Sequence, residues 1–588
     1  MRGPPEAELR GSAAISGRRS GRAWGLALAM ALALSVLYGL PDLRVAFSGP
    51  YVAQNDARQH VFWMQRFRDP SLFPGDDVAD YFQAVAPPGY SLLYRTAAAA
   101  GIEPLLLCKI LPLPLALVAA WYSFALAARI LPHPAAAFLS SLLVSQANWL
   151  TDDLPSGTPH AFAVPLLAAF LYYLSRRSRV SVLVCLLLQG LIYPHILLVS
   201  GVTLALGLVR LEDGRLRITR DRGDLSLCLE GLALAVALLL PYHHATSRFG
   251  PAVTADQARS LPEFLQGGRA QFFERTPEEF WVSDRRSGFL AKFFWSGGTF
   301  VYASVPMRAG FLLPLLLAAP RLFPLASSVT PAVGLLGRLA LASLGLFLSA
   351  HALLFRLHLP SRYSMYSMRV VLALAGGIAL VIVADAVWRR IPRTRRALRG
   401  ALAGAAALGL AIYVAIFFVQ EPAGYYLVGK YPAVYRFFAA QPVGARIATL
   451  SLEADNLPVF SRRSVLVGRL NAVPYQLGYY RPVRERALAL LSAEYAEDPA
   501  ELAAFVRRYR PDFFLVESDA FAAPWVRQAW IRQFHPLSDQ IVARLESGSV
   551  PALARALERC ALLHERNLVV LGADCVAGAE NESGRGAS

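Results

Sequence analysis

The chain alternates long apolar runs with short arginine-rich loops, and no other feature constrains its fold as strongly. A run of ~18 or more apolar residues crosses ~30 Å of hydrocarbon as a helix. Within lipid, every backbone N–H and C=O of such a segment must be satisfied by the segment itself. The first run extends from Trp24 to about Leu40. Further runs lie at about 104–130, 135–150, 161–175, 180–192, 194–210, 225–241, 302–319, 336–355, 368–388 and 400–418. The pattern predicts a polytopic α-helical membrane protein with about eleven transmembrane helices. The hydrophobic share of the 588-residue chain, 55%, exceeds what a soluble domain carries. Only 180–210 is ambiguous: it is short for two spans, long for one, and interrupted by Tyr193-Pro194-His195. If it is one tilted helix, a span must be regained elsewhere, and 320–335 is the place for it.

The net charge of +17 is carried by arginine, since lysine occurs only at Lys109, Lys292 and Lys430. Arg18, Arg19 and Arg22 precede the first run. With alternating spans, Arg176-Arg177-Ser178-Arg179, then Arg215, Arg217, Arg220 and Arg222, then Arg389-Arg390 through Arg399, fall on that same side. Basic loops stay in the cytoplasm. This places residues 1–23 inside and predicts a multi-pass protein of the cell inner membrane. The charge is therefore read as topology, and a basic outer surface suits anionic lipid phosphate; no nucleic-acid partner is implied.

Residues 24–418 form the expected membrane domain, with outer loops 42–103, 151–160 and 242–301. Within the first loop, Tyr90 to Ala100 reads as an interfacial helix anchored by Tyr90 and Tyr94. Residues 419–577 lose the long apolar runs and read as a small C-terminal α/β domain, periplasmic or extracellular by parity. Its expected strands are Val443 to Leu450, Ser464 to Val467 and Asp512 to Val516; its expected helices are Ala487 to Tyr495 and Pro499 to Tyr509. Residues 578–588 are small and polar and read as a disordered tail. Cys108, Cys185 and Cys228 read as small hydrophobes. Cys560 and Cys575 fall in the tail region; outside the cytoplasm they either close a short loop by a disulfide, worth about 3 kcal/mol, or stand as free thiols.

Polar groups recur at the predicted outer ends of spans: Asn55-Asp56-Ala-Arg58-Gln-His60, Asp152-Asp153 with His160, Tyr193-Pro-His195, Tyr242-His243-His244, and Arg356-Leu-His358-Leu-Pro-Ser361-Arg362-Tyr363. Ionisable groups at membrane depth are expensive and mark functional sites by default. Asp56 with Asp152 or Asp153 makes a carboxylate pair, suited to oxygen ligation of a divalent cation such as Mg or Mn or to general-base work. The same acids also fit solvated loops or, for Asp152 and Asp153, the cap of the following helix. Arg362 and Arg356 flank Pro360, and an arginine fork suits phosphate; either also fits as a snorkelling interfacial side chain. His195 and His160 each follow a proline at a span end, and His60 and His243 are further candidates. No zinc spacing, glycine-rich phosphate loop or Gly-x-Ser-x-Gly occurs, which disfavours nucleotide-dependent and serine-hydrolase chemistry.

A first span, a long first outer loop opening on an acid, a short second outer loop with another acid, many further spans and an outer C-terminal domain resemble the GT-C superfamily of integral-membrane glycosyltransferases. That superfamily includes protein O-mannosyltransferases, oligosaccharyltransferases and the lipid A aminoarabinose transferase. The segments Asn55-Asp-Ala-Arg-Gln-His-Val-Phe-Trp63, Pro70-x-Leu-Phe-Pro74, Ser464-Val-Leu-Val-Gly468 and Pro474-Tyr-x-Leu-Gly-Tyr-Tyr480 look like a bacterial branch with this layout. The resemblance implies a polyprenyl-phosphate-linked sugar donor and transfer to a glycan, lipid or protein acceptor outside the membrane. It implies Asp56 as base or metal ligand, Asp152 or Asp153 as the second acid, and Arg362, His195 and Arg58 at the donor phosphate, with Arg356 nearby. Asn55-Asp56 departs from a full Asp-x-Asp, so the cation, if held, rests on Asp56 and Asp153. Two other classes compete: a lipid-carrier or polysaccharide flippase, which needs paired broken helices at mid-membrane, and a non-catalytic cell-envelope assembly subunit with solvated acids. Convergence of Asp56, Asp152 or Asp153, and Arg362 in one place favours the enzyme.

Overall fold

The computed structural model describes residues 6–212, 215–273, 276–283, 286–290, 301–419 and 425–578. The expected tail beyond 578 and residues 291–300 of the loop 242–301 lie outside the described residues. Among the described residues, six helices are long and apolar enough to cross a membrane: Gly21–Ala46, Pro104–Ile130, Arg222–Tyr242, Pro331–Ala352, Pro360–Arg390 and Arg396–Val419. The remaining expected spans are helices too, but shorter: Pro134–Trp149, Pro159–Ser175, Arg179–Ile192, Pro194–Leu206 and Ser304–Ala318. The protein is thus mostly helical, with six long apolar helices plus shorter ones. Residues 320–335 supply no extra span, holding the short turns Pro324–Ser328 and Pro331–Val333. The ambiguous stretch resolves into two helices that break at Tyr193, whose φ of −147° and ψ of 85° leave the helical region. Pro194 explains the break, because its ring excludes the helical conformation at the residue before it and it lacks an N–H to donate.

Met365–Arg390 is the centre of the helical layer and packs most extensively against Pro134–Trp149. Its apolar window is 72% buried, whereas that of Arg396–Val419 is 6% buried; the first is a bundle core and the second a lipid-facing helix. The close crossing depends on Gly377, where an added Cβ would collide with the backbone N and hydroxyl of Ser140. Small residues at such crossings let backbones approach, and Ser140 Oγ donates across the seam to the Leu374 carbonyl at 3.1 Å.

The C-terminal domain carries a five-stranded sheet in the order β6-β5-β7-β9-β8. Here β1 is Val52–Gln54, β2 Val209–Glu212, β3 Arg215–Ile218, β4 Tyr426–Val428, β5 Arg446–Ala448, β6 Ser464–Val465, β7 Phe513–Glu517, β8 Ala561–Glu565 and β9 Leu568–Gly572. β6, β5 and β7 run parallel, and β9 and β8 add antiparallel strands. The helix Pro499–Tyr509 agrees with the sequence pattern, whereas the helix expected over 487–495 starts earlier and spans Leu477–Glu494; the β8–β9 hairpin is new. Cys560 and Cys575 are disulfide-bonded, with Cα atoms 5.6 Å apart, and tie the entry of β8 to the helix Ala573–Gly578.

Three devices dock this domain onto the outer loops. β1, from the first loop, pairs antiparallel with β4. Tyr81 stacks on Tyr479 with ring centroids 3.7 Å apart. A small apolar core joins Val253, Phe264 and Phe272 of the loop 242–301 to Phe355, Leu359, Tyr475 and Leu477. The expectation that Tyr90 and Tyr94 anchor an interfacial helix is corrected. Both are buried in Pro88–Ala99, and Tyr94 donates its hydroxyl proton to the Gly157 carbonyl at 2.9 Å, so this face of the helix braces the second outer loop.

Candidate functional site

Asp56 stands where β1 gives way to the short helix Ala57–His60, at the position where an aspartate usually caps. Its carboxylate does not cap. Gln54 caps in its place, since its Oε1 accepts from the backbone N–H of Asp56 at 2.7 Å and of Ala57 at 3.2 Å. Gln54 Nε2 donates to the Asp152 carbonyl at 3.2 Å, fixing the first outer loop to the second. The Asp56 carboxylate is thereby left to face His160, with Oδ2 3.7 Å from Nδ1, a charge contact too long for a hydrogen bond. Its side chain keeps 23% exposure. Burial raises its proton affinity, but His160 and Arg362 outweigh burial and hold it well below the ordinary carboxylate range. Asp56 is therefore ionised at neutral pH. Burial pushes His60, on the same short helix, down to about 4; its ring lies 6.1 Å from that of His160.

Asp153 behaves differently. Its Oδ1 accepts from Tyr366 Oη at 2.8 Å and its Oδ2 from Arg369 Nη2 at 3.0 Å, both residues of Met365–Arg390. The ion pair is buried, with side chains 3% and 7% exposed. Against the burial penalty, the Arg369 charge, His160 and the Tyr366 hydrogen bond lower its proton affinity. Neither Asp152 nor Asp153 caps the following turn, whose N-cap is Thr158. The Asp152 carboxyl sits between two like charges: burial, then Asp153 and Asp56, push it up to about 7.

Arg362 opens the long core helix from the turn Pro360–Tyr363. Its Nη1 donates to Tyr366 Oη at 3.2 Å, and it forms no ion pair among the described residues. His195 reaches the same place from the Pro194 break, its ring 5.1 Å from Tyr193, 5.2 Å from His358 and 5.9 Å from Tyr363. Tyr193 in turn meets His160 at 5.2 Å and Tyr366 at 5.6 Å. A continuous chain of contacts thus joins Asp56, His60, His160, Tyr193, His195, Tyr366, Arg362 and Asp153 in one cluster.

Other candidates lie elsewhere. Arg58 points into the C-terminal domain and is held by Asn456 Oδ1 at 2.8 Å and Asn55 Oδ1 at 2.6 Å, which docks the domain. Arg356 is exposed and follows Phe355, whose positive φ turns the chain there. The side chain of His243 lies outside the described residues. Sequence reasoning passed over Tyr366 and Arg369 as site residues and named Tyr193 only within Tyr193-Pro-His195. Arg369 did leave a signal, since it is a charge inside the apolar run 368–388 and such a charge requires a partner; the tyrosines left none that separates them from core aromatics.

The residues do not fit a divalent cation held by Asp56 and Asp153. Both Asp153 oxygens are engaged by Arg369 and Tyr366, and the described residues contain no group of three or more His, Cys, Asp or Glu side chains arranged to hold a metal. The fixed positive charge near Asp56 is that of Arg362.

No protein-family model matches the chain, and no curated protein matches it. Solved structures do. The archaeal oligosaccharyltransferase from Archaeoglobus fulgidus, in complex with an inhibitory peptide and a dolichol-phosphate, superposes with a TM-score of 0.50 at 12% identity, over 87% of this chain and 72% of that one. The arabinofuranosyltransferase AftD from Mycobacteria superposes at 0.49 and 13% identity, over 84% of this chain and 35% of that one. The chain is structurally similar to GT-C membrane glycosyltransferases at low identity, a likeness of fold.

Proposed function

We propose that this protein is a membrane glycosyltransferase that moves a sugar from a polyprenyl-phosphate donor to an acceptor hydroxyl on the outer face of the membrane. The observation that carries the reading is the carboxylate of Asp56: ionised, released from capping by Gln54, and facing a cluster whose Arg362 forms no ion pair among the described residues. Asp56 takes the proton of the acceptor hydroxyl. The acceptor oxygen bonds to the anomeric carbon as the bond from that carbon to the phosphate oxygen breaks, in one inverting displacement. The leaving phosphate gathers negative charge, and a preorganised cation is worth most where charge develops. Arg362 supplies that cation, with His195 beside it as a hydrogen-bonding group. Asp153, through Arg369 and Tyr366, orients the wall that carries Arg362. The archaeal structure of similar fold holds a dolichol-phosphate, a lipid phosphate of the proposed donor class.

The test is transfer of radiolabelled sugar from a panel of polyprenyl-phosphate sugars by the full chain in lipid nanodiscs. Asp56→Asn is expected to reduce the rate by about 10²–10⁴-fold, the usual worth of a positioned general base. Undiminished transfer by that variant would exclude Asp56 as base, and absence of transfer from every donor would sink the reading.

A further inference from the structure

Arg269 and Arg286, both from the loop 242–301, are not used by the proposed reaction. Each is fixed on one short segment of the C-terminal domain, residues 469–475. Arg269 Nε and Nη2 donate to the carbonyls of Arg469 at 3.1 Å and Leu470 at 3.3 Å. The Leu470 carbonyl also accepts from Gln59 Nε2 at 2.7 Å, so Arg269 stands beside the helix that carries Asp56 and His60. Arg286 Nη1 donates to the Tyr475 hydroxyl, and its guanidinium lies 5.6 Å from that ring's centroid. The Arg286 carbonyl accepts from the Ser361 N–H at 3.1 Å, one residue from Arg362. The edge of this platform meets the site through His358, 5.4 Å from Tyr475 and 5.2 Å from His195.

The charges do not balance. Neither arginine forms an ion pair among the described residues. The nearby acid Asp455 spends Oδ1 on the Leu470 N–H at 2.9 Å and is shared electrostatically by Arg58, Arg269 and Arg469. Arg58 is itself occupied by Asn55 and Asn456. The surplus positive charge is held rigidly by backbone carbonyls and a tyrosine, an arrangement that serves no ion pair of the fold. Guanidinium forks suit carboxylate and phosphate oxygens.

We propose that Arg269 and Arg286, the latter oriented by Tyr475, form a second anion subsite, separate from Arg362, that recognises an acidic group on the glycan being transferred or extended. This rests on the glycosyl-transfer reading and narrows it: the glycan carries a carboxylate or phosphate.

The subsite is tested by binding rather than turnover, so that its failure is distinguishable from failure of the reaction. The full chain in lipid nanodiscs is titrated calorimetrically with tetragalacturonate and with the neutral maltotetraose. Tetragalacturonate is expected to bind at least tenfold more tightly. That preference is expected to vanish in Arg269→Gln/Arg286→Gln, to persist in Arg286→Lys, which keeps the charge, and to persist in Arg362→Gln. Thermal melting checks that each variant is folded. Equal affinity for the two probes overturns the proposal, as does a preference that survives the double variant or disappears only with Arg362→Gln. Added polyprenyl phosphate, which carries no sugar, is a further check: undiminished tetragalacturonate binding supports a subsite separate from the lipid phosphate, and competition overturns it. A chain that shows the preference yet transfers no sugar keeps the subsite and loses the reaction.

Discussion

Asp56 and Asp153 begin as equals, each an aspartate in a loop that follows an apolar run, and the fold sends them to opposite fates. Asp153 is locked by Arg369 and Tyr366 with no carboxylate oxygen left over. Asp56 is relieved of its local duty by Gln54 and faces only the longer contact with His160. A buried charge with a partner holds a structure together; a partly exposed charge with its partners withheld is available for chemistry. The residue type does not decide between the two roles. The neighbours that compete for its oxygens do.

The sharpest way to break the comparison is to neutralise each acid in turn and read stability. Asp153→Asn leaves the Arg369 charge buried without its counterion, and removal of one partner of a buried pair costs about 3–5 kcal/mol. Asp56→Asn, which removes no hydrogen bond within the fold, is expected to leave the melting temperature near wild type while lowering transfer. Equal destabilisation by the two substitutions would dissolve the distinction.

Asp152 sharpens it by pH. Burial and the adjacent charges of Asp153 and Asp56 raise its pKa from 3.8 to about 7. Between those values the folded chain holds a proton that the unfolded chain has released, so stability falls as pH rises through that window. Asp152→Asn is expected to flatten the slope, measured as melting temperature from pH 4 to 8. A wild-type protein with no decline there would show that Asp152 is better solvated than its position implies.

The smallest effect probes the relief of Asp56 itself. Gln54→Ala removes the surrogate cap and the bond to the Asp152 carbonyl, and loss of a cap costs about 0.5–2 kcal/mol. The freed N–H groups recruit the Asp56 carboxylate, so transfer is expected to drop by more than the stability loss accounts for. Parallel loss of both would assign Gln54 a purely structural role.

Much of this was legible in the sequence. The apolar runs, the break at Tyr193-Pro194, the buried strand around Phe513–Glu517 and the prominence of Asp56 and Arg362 each follow from local pattern, because lipid, proline and strand alternation act on neighbouring residues. The lengths were less legible. Several runs that scan as spans are short helices, since prolines such as Pro134, Pro159 and Pro194 set where a helix starts and apolarity alone does not. Arg58, adjacent to Asp56 on a short helix, looked like a phosphate ligand; Asn456, nearly four hundred residues away, claims it instead.

The sequence by itself determined that the chain is largely helical and membrane-embedded, that a small α/β domain follows, and that polar groups gather at the ends of particular helices. Hydrophobic periodicity and turn chemistry suffice for that, being properties of consecutive residues. Only the tertiary structure decided which of those groups meet. The β1–β4 pairing, the Arg369–Asp153 ion pair and the shared Leu470 carbonyl each join residues far apart in the chain, and burial makes every such pairing exclusive: an oxygen bonded to one partner is withheld from the next.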